Sequence, residues 1–211
     1  MRHYSLQDRL FSSLQQALSI LSNKPIAQRE NPGLRYGEAK LSPQQIRHQI
    51  GLMRVNHAGE MAAQGLYQGQ ALTAKQAHTE LHMKQAAQEE IDHLAWCQER
   101  LSELEGRTSY LDPLWYFGAL LIGAVAGMAG DQWSLGFIAE TENQVSSHLA
   151  NHLAQCATED RKTQSILMHM KNDEEQHARQ AIAHGAAKLP NFIQLLMKCT
   201  SKIMVTTAYY L

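Results

Sequence analysis

Two five-residue stretches decide the fold of this chain: Glu-Glu-Ile-Asp-His at residues 89–93 and Asp-Glu-Glu-Gln-His at residues 173–177. Both contain the pattern Glu-x-x-His. A spacing of three places the carboxylate and the imidazole on one face of a helix, about one turn apart. One such pair arises easily by chance on an exposed helix, so its repetition is the informative feature. The two pairs are Glu90 with His93 and Glu174 with His177.

Each pair is preceded by a further glutamate at nearly the same distance. Glu60 lies 30 residues before Glu90, and Glu142 lies 32 residues before Glu174, although Glu140 is an equal candidate on spacing alone. Each half of the chain therefore predicts a helix with one glutamate, a turn, and a helix with Glu-x-x-His. Glu89 and Glu175 are the alternatives to Glu90 and Glu174 as metal ligands. The spacing of three to the histidines favours Glu90 and Glu174.

Two such halves supply four carboxylates and two imidazoles from four helices. This is the ligand set of ferritin-like di-iron carboxylate bundles. A set rich in oxygen with two neutral nitrogens favours iron or manganese over a structural zinc site. Small residues around Glu60 predict that the ligand-bearing helices approach closely: Ala58, Gly59, Ala62, Ala63 and Gly65.

The spacing of the five prolines supports an all-α protein. They stand at positions 25, 32, 43, 113 and 190, which leaves two long intervals free of proline for long helices. We predict helices over residues 5–22, 43–73, 75–104, 113–130, 131–158, 160–188 and within the tail. We therefore divide the chain into three segments. Residues 1–42 form an amphipathic helix and a polar linker, and residues 43–190 form a ferritin-like four-helix bundle with extra apolar or amphipathic helices. Residues 191–211 form a C-terminal helix that packs on the bundle or a membrane.

Charge and cysteine content exclude several classes of protein. The formal net charge is −1, whereas nucleic-acid binding requires a basic surplus, so no nucleic-acid partner is expected. Three scattered cysteines are too few for a disulfide scaffold and indicate reduced thiols in a cytoplasm. The N-terminus has no apolar core typical of a signal peptide, so export is not expected.

The chain resembles the demethoxyubiquinone hydroxylase family of ubiquinone biosynthesis. The resemblance rests on Arg-Val-Asn-His-Ala-Gly-Glu at residues 54–60, on both Glu-x-x-His stretches, and on Gly-Asp-Gln-Trp-Ser-Leu-Gly-Phe at residues 130–137, which leads to Glu142. It spans residues 50–188, and it alone selects Glu142 over Glu140. The metal ligands that it implies are Glu60, Glu90, His93, Glu142, Glu174 and His177.

That resemblance implies a monooxygenase with two iron ions per chain. The family uses dioxygen to hydroxylate the ring of a polyprenylated demethoxyubiquinol, 2-polyprenyl-3-methyl-6-methoxy-1,4-benzoquinol. The reaction needs two electrons from outside, and the sequence has no Gly-x-Gly-x-x-Gly motif that would indicate a dinucleotide-binding domain of its own. The external reductant could be NADH acting through the quinone, or a separate protein. The resemblance also implies a lipid-handling partner from the same pathway and a homo-oligomer. A ferritin-like iron oxidase and a quinol oxidase are the alternatives, since both use the same ligands.

Three further side chains are candidate partners of the ligands. Asp92 and Asp173 can accept hydrogen bonds from ligand histidines across the bundle, and solvated positions are equally compatible with the sequence. His148 lies two turns after Glu142 on the same predicted helix, and we expect it to have a packed or hydrogen-bonded role there.

An uncharged stretch from Pro113 to Gly130 is a marginal candidate for crossing a membrane. A crossing there would separate the first three ligands from the other three, so the metal centre could not assemble. We therefore expect a helix that lies on the membrane or lines a groove, in a peripheral protein at the cytoplasmic face of the cell membrane. A buried helix or an oligomer interface is the alternative. We predict that replacing Gly123 and Gly127 by aspartate releases the protein from membranes and leaves the iron content intact.

Overall fold

The computed structural model describes residues 6–22 and 24–211, and within them the chain is all α-helical, as predicted. A 3₁₀ turn spans Pro32–Arg35. The predicted helix over 5–22 begins at Leu6, and Ser5 lies outside the described residues. The seven helices are α1 (Leu6–Ser22), α2 (Pro43–Thr73), α3 (Ala77–Glu103), α4 (Asp112–Met128), α5 (Asp131–Gln155), α6 (Arg161–Ala183) and α7 (Asn191–Tyr210).

Two antiparallel hairpins, α2–α3 and α5–α6, form a ferritin-like four-helix bundle. The core between them is built from large apolar side chains such as Met53, Trp96, Leu149 and Met170, all at most 2% exposed. α5 begins beside the end of α2, where Asp131 accepts hydrogen bonds from two backbone N–H groups that follow α2. The fold class predicted from the sequence is therefore confirmed.

Helix α4 carries the chain from the first hairpin to the second and lies parallel to α2. The two backbones touch through glycines: a Cβ on Gly65 or Gly69 would collide with a carbonyl of α4, and one on Gly123 with the Leu66 carbonyl. Gly65 was predicted to bring ligand helices together, but it instead makes room for this connecting helix. Gly123 and Gly127 likewise face α2, so aspartates there would collide with α2 and would disturb the fold that holds the metal ligands.

The boundaries of two helices show which sequence signals act locally. α2 begins as predicted, with Pro43 in the first turn and a capping box between Ser42 and Gln45. α6 ends at Ala183, five residues before the predicted end at 188. The cause is Gly185, which adopts φ +94°, while the N–H of Ala186 donates back to the Ala181 carbonyl. This glycine-terminated end stops the helix ahead of Pro190.

Helices α1 and α7 flank α4 on the outside of the bundle. Ala17 of α1 packs in one cluster with Tyr116 of α4, and Val205 of α7 packs in another with Trp115. All three helices leave large apolar side chains exposed. No helix within the described part of the chain is both long and apolar enough to cross a membrane. The exposed side chains are Phe11, Leu14 and Leu18 of α1; Leu114, Phe117, Leu121, Ile122, Val125 and Met128 of α4; and Phe192, Leu195, Leu196 and Ile203 of α7.

A segment that we call the strap (residues 24–38) lies along α3 and α6. Asn31 donates to Glu99 over 2.7 Å, and Ser165 donates to the Pro32 carbonyl. At its far end Glu38 binds the buried guanidinium of Arg100 at 2.9 Å. The linker between α1 and α2 is thus fixed along a bundle face by polar contacts.

Candidate metal centre

All six predicted ligands meet in the middle of the bundle. Each of these residues is at most 3% exposed. The two hairpins contribute equally, with a lone glutamate on the first helix and a Glu-x-x-His pair on the second. The six are Glu60 on α2, Glu90 and His93 on α3, Glu142 on α5, and Glu174 and His177 on α6.

The six side chains form two overlapping groups of four, and in each group the potential ligand atoms lie within 4.8 Å of one another. Glu90 and Glu174 belong to both groups. Two divalent ions can therefore share these two carboxylates, and the charge of four carboxylates balances them. The first group is Glu60, Glu90, His93 and Glu174; the second is Glu90, Glu142, Glu174 and His177.

Both histidines present Nδ1 to the centre and Nε2 to an outer carboxylate. His93 Nδ1 lies 2.8 Å from Glu90 and 3.2 Å from Glu174, while its Nε2 lies 2.9 Å from Asp173. His177 Nδ1 lies 3.2 Å from Glu90, and its Nε2 lies 2.7 Å from Glu89. A carboxylate that accepts the Nε2 proton leaves Nδ1 free to bind a metal ion and fixes the orientation of the ring.

The competing glutamates lie outside the cluster. Glu140 accepts a hydrogen bond from Gln144 over 2.6 Å on the outer side of α5. Glu175 is 40% exposed and pairs with Lys171. Glu89, the rival of Glu90, has the outer position beside His177 described above.

The three candidate partners have different surroundings. Asp173 contacts His93 across the bundle, as expected. Asp92 does not occupy the matching place beside His177; it is buried and paired with Arg29 of the strap at 2.6 Å. His148 packs against the ring of His152, with 4.0 Å between centroids.

Protons occupy this cluster when no metal does. Burial, and then the charge of Glu90, raise the pKa of Glu60 well above its ordinary value. Burial and Glu174 raise the pKa of Glu142 in the same way. Burial disfavours a charged His93, but Glu90 and Asp173 outweigh it and raise the pKa of that imidazole well above 6.5. Metal ions that bind here must displace these protons.

Several buried polar atoms of the cluster are left without hydrogen bonds. Glu90 Oε1, both carboxylate oxygens of Glu174 and His177 Nδ1 find no hydrogen-bond partner among the described residues. Buried polar atoms in native proteins are nearly always paired, so such a group of exceptions calls for an explanation. Ion ligation would satisfy all of them, and the donor set fits iron.

Tyr67 is a further contact that the sequence patterns did not indicate. It is fully buried on α2, and its hydroxyl donates a hydrogen bond to Glu142 Oε1. Burial and the charge of Glu142 raise the pKa of Tyr67 well above 10, so the phenol keeps its proton. Tyr67 lies two turns after Glu60, but no motif distinguishes it from a core tyrosine.

A narrow cavity of about 40 Å³ lies between α2, α5 and α7 and reaches Glu60. Glu60 is part of its wall, together with Gly59, His148 and Met204. Glu60 is thus approached from the side of the bundle that carries α7, whereas His93 faces the strap.

A ferritin-like bundle whose four helices supply four buried carboxylates and two imidazoles defines the class of carboxylate-bridged metal proteins. Residues 47–208 match the family model described as ubiquinone biosynthesis protein COQ7. The chain belongs to this family.

Curated relatives are similar over the whole chain. A 3-demethoxyubiquinol 3-hydroxylase of Legionella pneumophila (strain Paris) is 51% identical over 213 residues, which cover 100% of both chains. A protein of the same name from Xanthomonas oryzae pv. oryzae (strain PXO99A) is 50% identical over 210 residues, which cover 100% of this chain and 97% of the relative.

Proposed function

We propose that this protein is a 3-demethoxyubiquinol 3-hydroxylase, a di-iron monooxygenase that hydroxylates the ring of a polyprenylated demethoxyubiquinol late in ubiquinone biosynthesis. The observation that carries the proposal is the buried six-ligand cluster in a chain that is about half identical to hydroxylases along its full length. The names of those relatives supply the substrate class, and the cluster supplies a place for the metal.

The side chains of the cluster have distinct roles in this proposal. Glu90 and Glu174 would be shared by both ions, with Glu60 and His93 on one ion and Glu142 and His177 on the other. Bound iron supplies the reaction with dioxygen, which protein side chains alone do not perform. Asp173 and Glu89 keep the Nε2 protons of the histidines in place. The surrounding core excludes bulk water.

The reaction needs electrons from outside the chain. One oxygen atom of dioxygen replaces a ring hydrogen with a hydroxyl group, and the other leaves as water. This balance takes up two electrons and two protons. We assign the two electrons and one proton to an external reductant such as NADH, and the second proton to the solvent. A lipid-handling partner and a homo-oligomer, both implied by the resemblance, remain part of the proposal.

We also propose that the protein lies on the membrane surface, at the cytoplasmic face, through α1, α4 and α7. All three helices carry exposed apolar side chains, and α1 and α7 each share a buried cluster with α4. Helix α7 forms one wall of the cavity beside Glu60. A substrate whose polyprenyl tail remains in lipid would approach the centre from this side. Such a surface would lie against lipid as an interfacial anchor.

The quinone content of complemented cells tests the hydroxylase proposal. A bacterial strain that lacks its own demethoxyubiquinol hydroxylase would receive the wild-type gene, Glu174→Gln or Glu175→Gln, and its lipids would be analysed by mass spectrometry. We expect wild type and Glu175→Gln to restore ubiquinone, because Glu175 is exposed and faces away from the centre. Glu174→Gln should accumulate the demethoxy precursor, because one carboxylate shared by both ions is lost.

Equal complementation by Glu174→Gln would contradict the proposed ligand set. If the wild-type gene itself does not restore ubiquinone, the result would contradict the proposed demethoxyubiquinol substrate. Oxygen uptake by the purified protein with iron(II) or with a quinol would then separate an iron oxidase from a quinol oxidase.

A further inference from the structure

Arg29 joins the two helices that carry the histidine ligands. Its Nε lies 2.6 Å from Asp92 Oδ2 on α3, and its Nη1 lies 2.8 Å from Asp173 Oδ2 on α6. The neighbouring backbone N–H of Gln28 donates to the other oxygen of Asp92 over 2.7 Å. The strap is therefore anchored directly beside the metal centre by a guanidinium shared between two carboxylates, a charge-assisted arrangement.

The same contacts confine His93. Asp173 Oδ2, held by Arg29, is the oxygen that accepts from His93 Nε2 at 2.9 Å. Arg29 Nη2 comes within 3.5 Å of that nitrogen. Below the guanidinium lies the ring of Trp96, 5.0 Å away, and its indole N–H donates to the Arg29 carbonyl. The outward edge of the imidazole is closed by Asp173 and Arg29 together.

The carboxylate beside His177 is more exposed to solvent than the carboxylate beside His93. Its Nε2 contacts Glu89, whose side chain is 47% exposed, compared with 22% for Asp173. The two halves of the centre have equivalent ligands but unequal support, because the strap fixes the carboxylate beside His93 through a salt bridge within the chain.

We propose that Arg29 is a positioning residue for one ion of the pair, the ion held by Glu60, Glu90, His93 and Glu174. It acts through Asp173, and it makes this ion leave more slowly than the ion on the Glu142 and His177 side. The inference rests on the proposed metal centre and adds that the two ion positions differ in the rate of release.

The expected size of the effect follows from the chemistry of outer partners. Removing a hydrogen-bond partner of a ligand histidine typically lowers metal affinity by about 10-fold to 100-fold. Arg29 acts mainly one contact further out, because it holds Asp173 at 2.8 Å, whereas its own Nη2 lies 3.5 Å from the ring nitrogen. We therefore expect release from this position to become about tenfold faster, the lower end of that range.

The experiment measures release of iron(II) from anaerobically loaded, full-length protein to a coloured iron(II) chelator. For wild type we expect two ions per chain, released in a fast and a slow phase. In Arg29→Ala the slow phase should become about tenfold faster. The fast phase should change much less, because Arg29 acts on Glu89 only through its charge and not through a salt bridge. Arg35→Ala is the matched control, because it removes an exposed arginine of the same strap, and its two phases should equal those of wild type.

Asp92→Asn provides a second variant that does not touch the Asp173–His93 contact. It removes the α3 anchor of Arg29, so it should speed the same phase by a smaller factor. Thermal unfolding of the metal-free proteins checks that each variant is folded. Unchanged phases in both variants, or equal acceleration of both phases, would overturn the role of Arg29. Wild-type protein that retains no iron would instead overturn the metal centre itself.

Discussion

Tyr67 links the ligand Glu142 of α5 to helix α2 by a hydrogen bond. Its ring packs in the core beside Met83 and Leu135, and its hydroxyl donates to Glu142 from α2. A hydrogen bond to a charged group contributes about 1.5–3 kcal/mol. The carboxylate of Glu142 is thereby held in one orientation, which limits the directions from which its other oxygen can reach an ion.

We expect Tyr67→Phe to weaken binding of one iron(II) ion about tenfold, because Glu142 loses its hydrogen-bond donor. Equilibrium dialysis of iron(II) under anaerobic conditions measures the two affinities. Tyr116→Phe is the control: this tyrosine is also fully buried, but it lies on α4 and donates to Gln68 and not to a ligand. Two unaltered affinities in Tyr67→Phe would show that the hydrogen bond does not support the site.

At the residue scale, the residue spacing predicted five members of the cluster, and the family resemblance selected Glu142 as the sixth, but not all of their neighbours were predicted. Aligning the two quoted stretches shows an acid at the first position of both, Glu89 and Asp173, and these are the two outer partners. Asp92 has Gln176 as its counterpart, so the internal repeat argued against it. Arg29 lies far away in sequence, and its place depends on how the strap folds back, which no local pattern specifies.

Helix α4 combines two different faces. Its glycine side touches the α2 backbone, and its opposite side exposes leucine, valine and methionine side chains. The sequence contains an apolar segment with two glycines four residues apart, Gly123 and Gly127. This spacing does not indicate which neighbouring helix the glycines contact. Only the packed structure shows which α4 side chains are exposed. The substitutions that test membrane binding are therefore at these side chains and not at the glycines.

The double substitution Leu121→Asp and Val125→Asp should reduce binding to phosphatidylethanolamine–phosphatidylglycerol vesicles at least about tenfold. Each apolar side chain of this size contributes about 1.5–3 kcal/mol when removed from water. Both side chains are more than 60% exposed, so the fold and the iron content should be retained. Co-sedimentation with vesicles measures the change.

Met168→Asp is the matched control for that experiment, because Met168 is exposed on α6, away from α4. It should sediment with vesicles like wild type. Equal sedimentation of the α4 double variant and wild type would remove α4 from the membrane surface.

For the whole molecule, the cluster links stability to protons and metal. Glu60, Glu142, His93 and His177 have raised pKa values in the metal-free fold. Each of these groups therefore stabilises the fold at a pH below its ordinary pKa. This stabilisation is lost as the pH rises from that value through the raised pKa of the folded protein. For the histidines the loss begins above 6.5. Glu90 has a lowered pKa, and its contribution is already complete at that pH.

We expect the melting temperature of metal-free protein to fall by about 5 °C or more between pH 6.5 and about pH 9. Iron-loaded protein under anaerobic conditions should show a smaller fall, since a ligated imidazole has no such proton to release. Differential scanning calorimetry of both forms in the same buffers measures this difference. Parallel curves for the two forms would contradict the linkage.

The division of ligands between the hairpins has a consequence for the order of assembly. Each hairpin is local in sequence and can form its turn quickly, whereas the two hairpins meet only after α4 has carried the chain back along α2. Each group of four ligands takes three side chains from one hairpin and one from the other. Neither hairpin alone holds a complete group, so full ligation of an ion follows the docking of the hairpins and then opposes their separation.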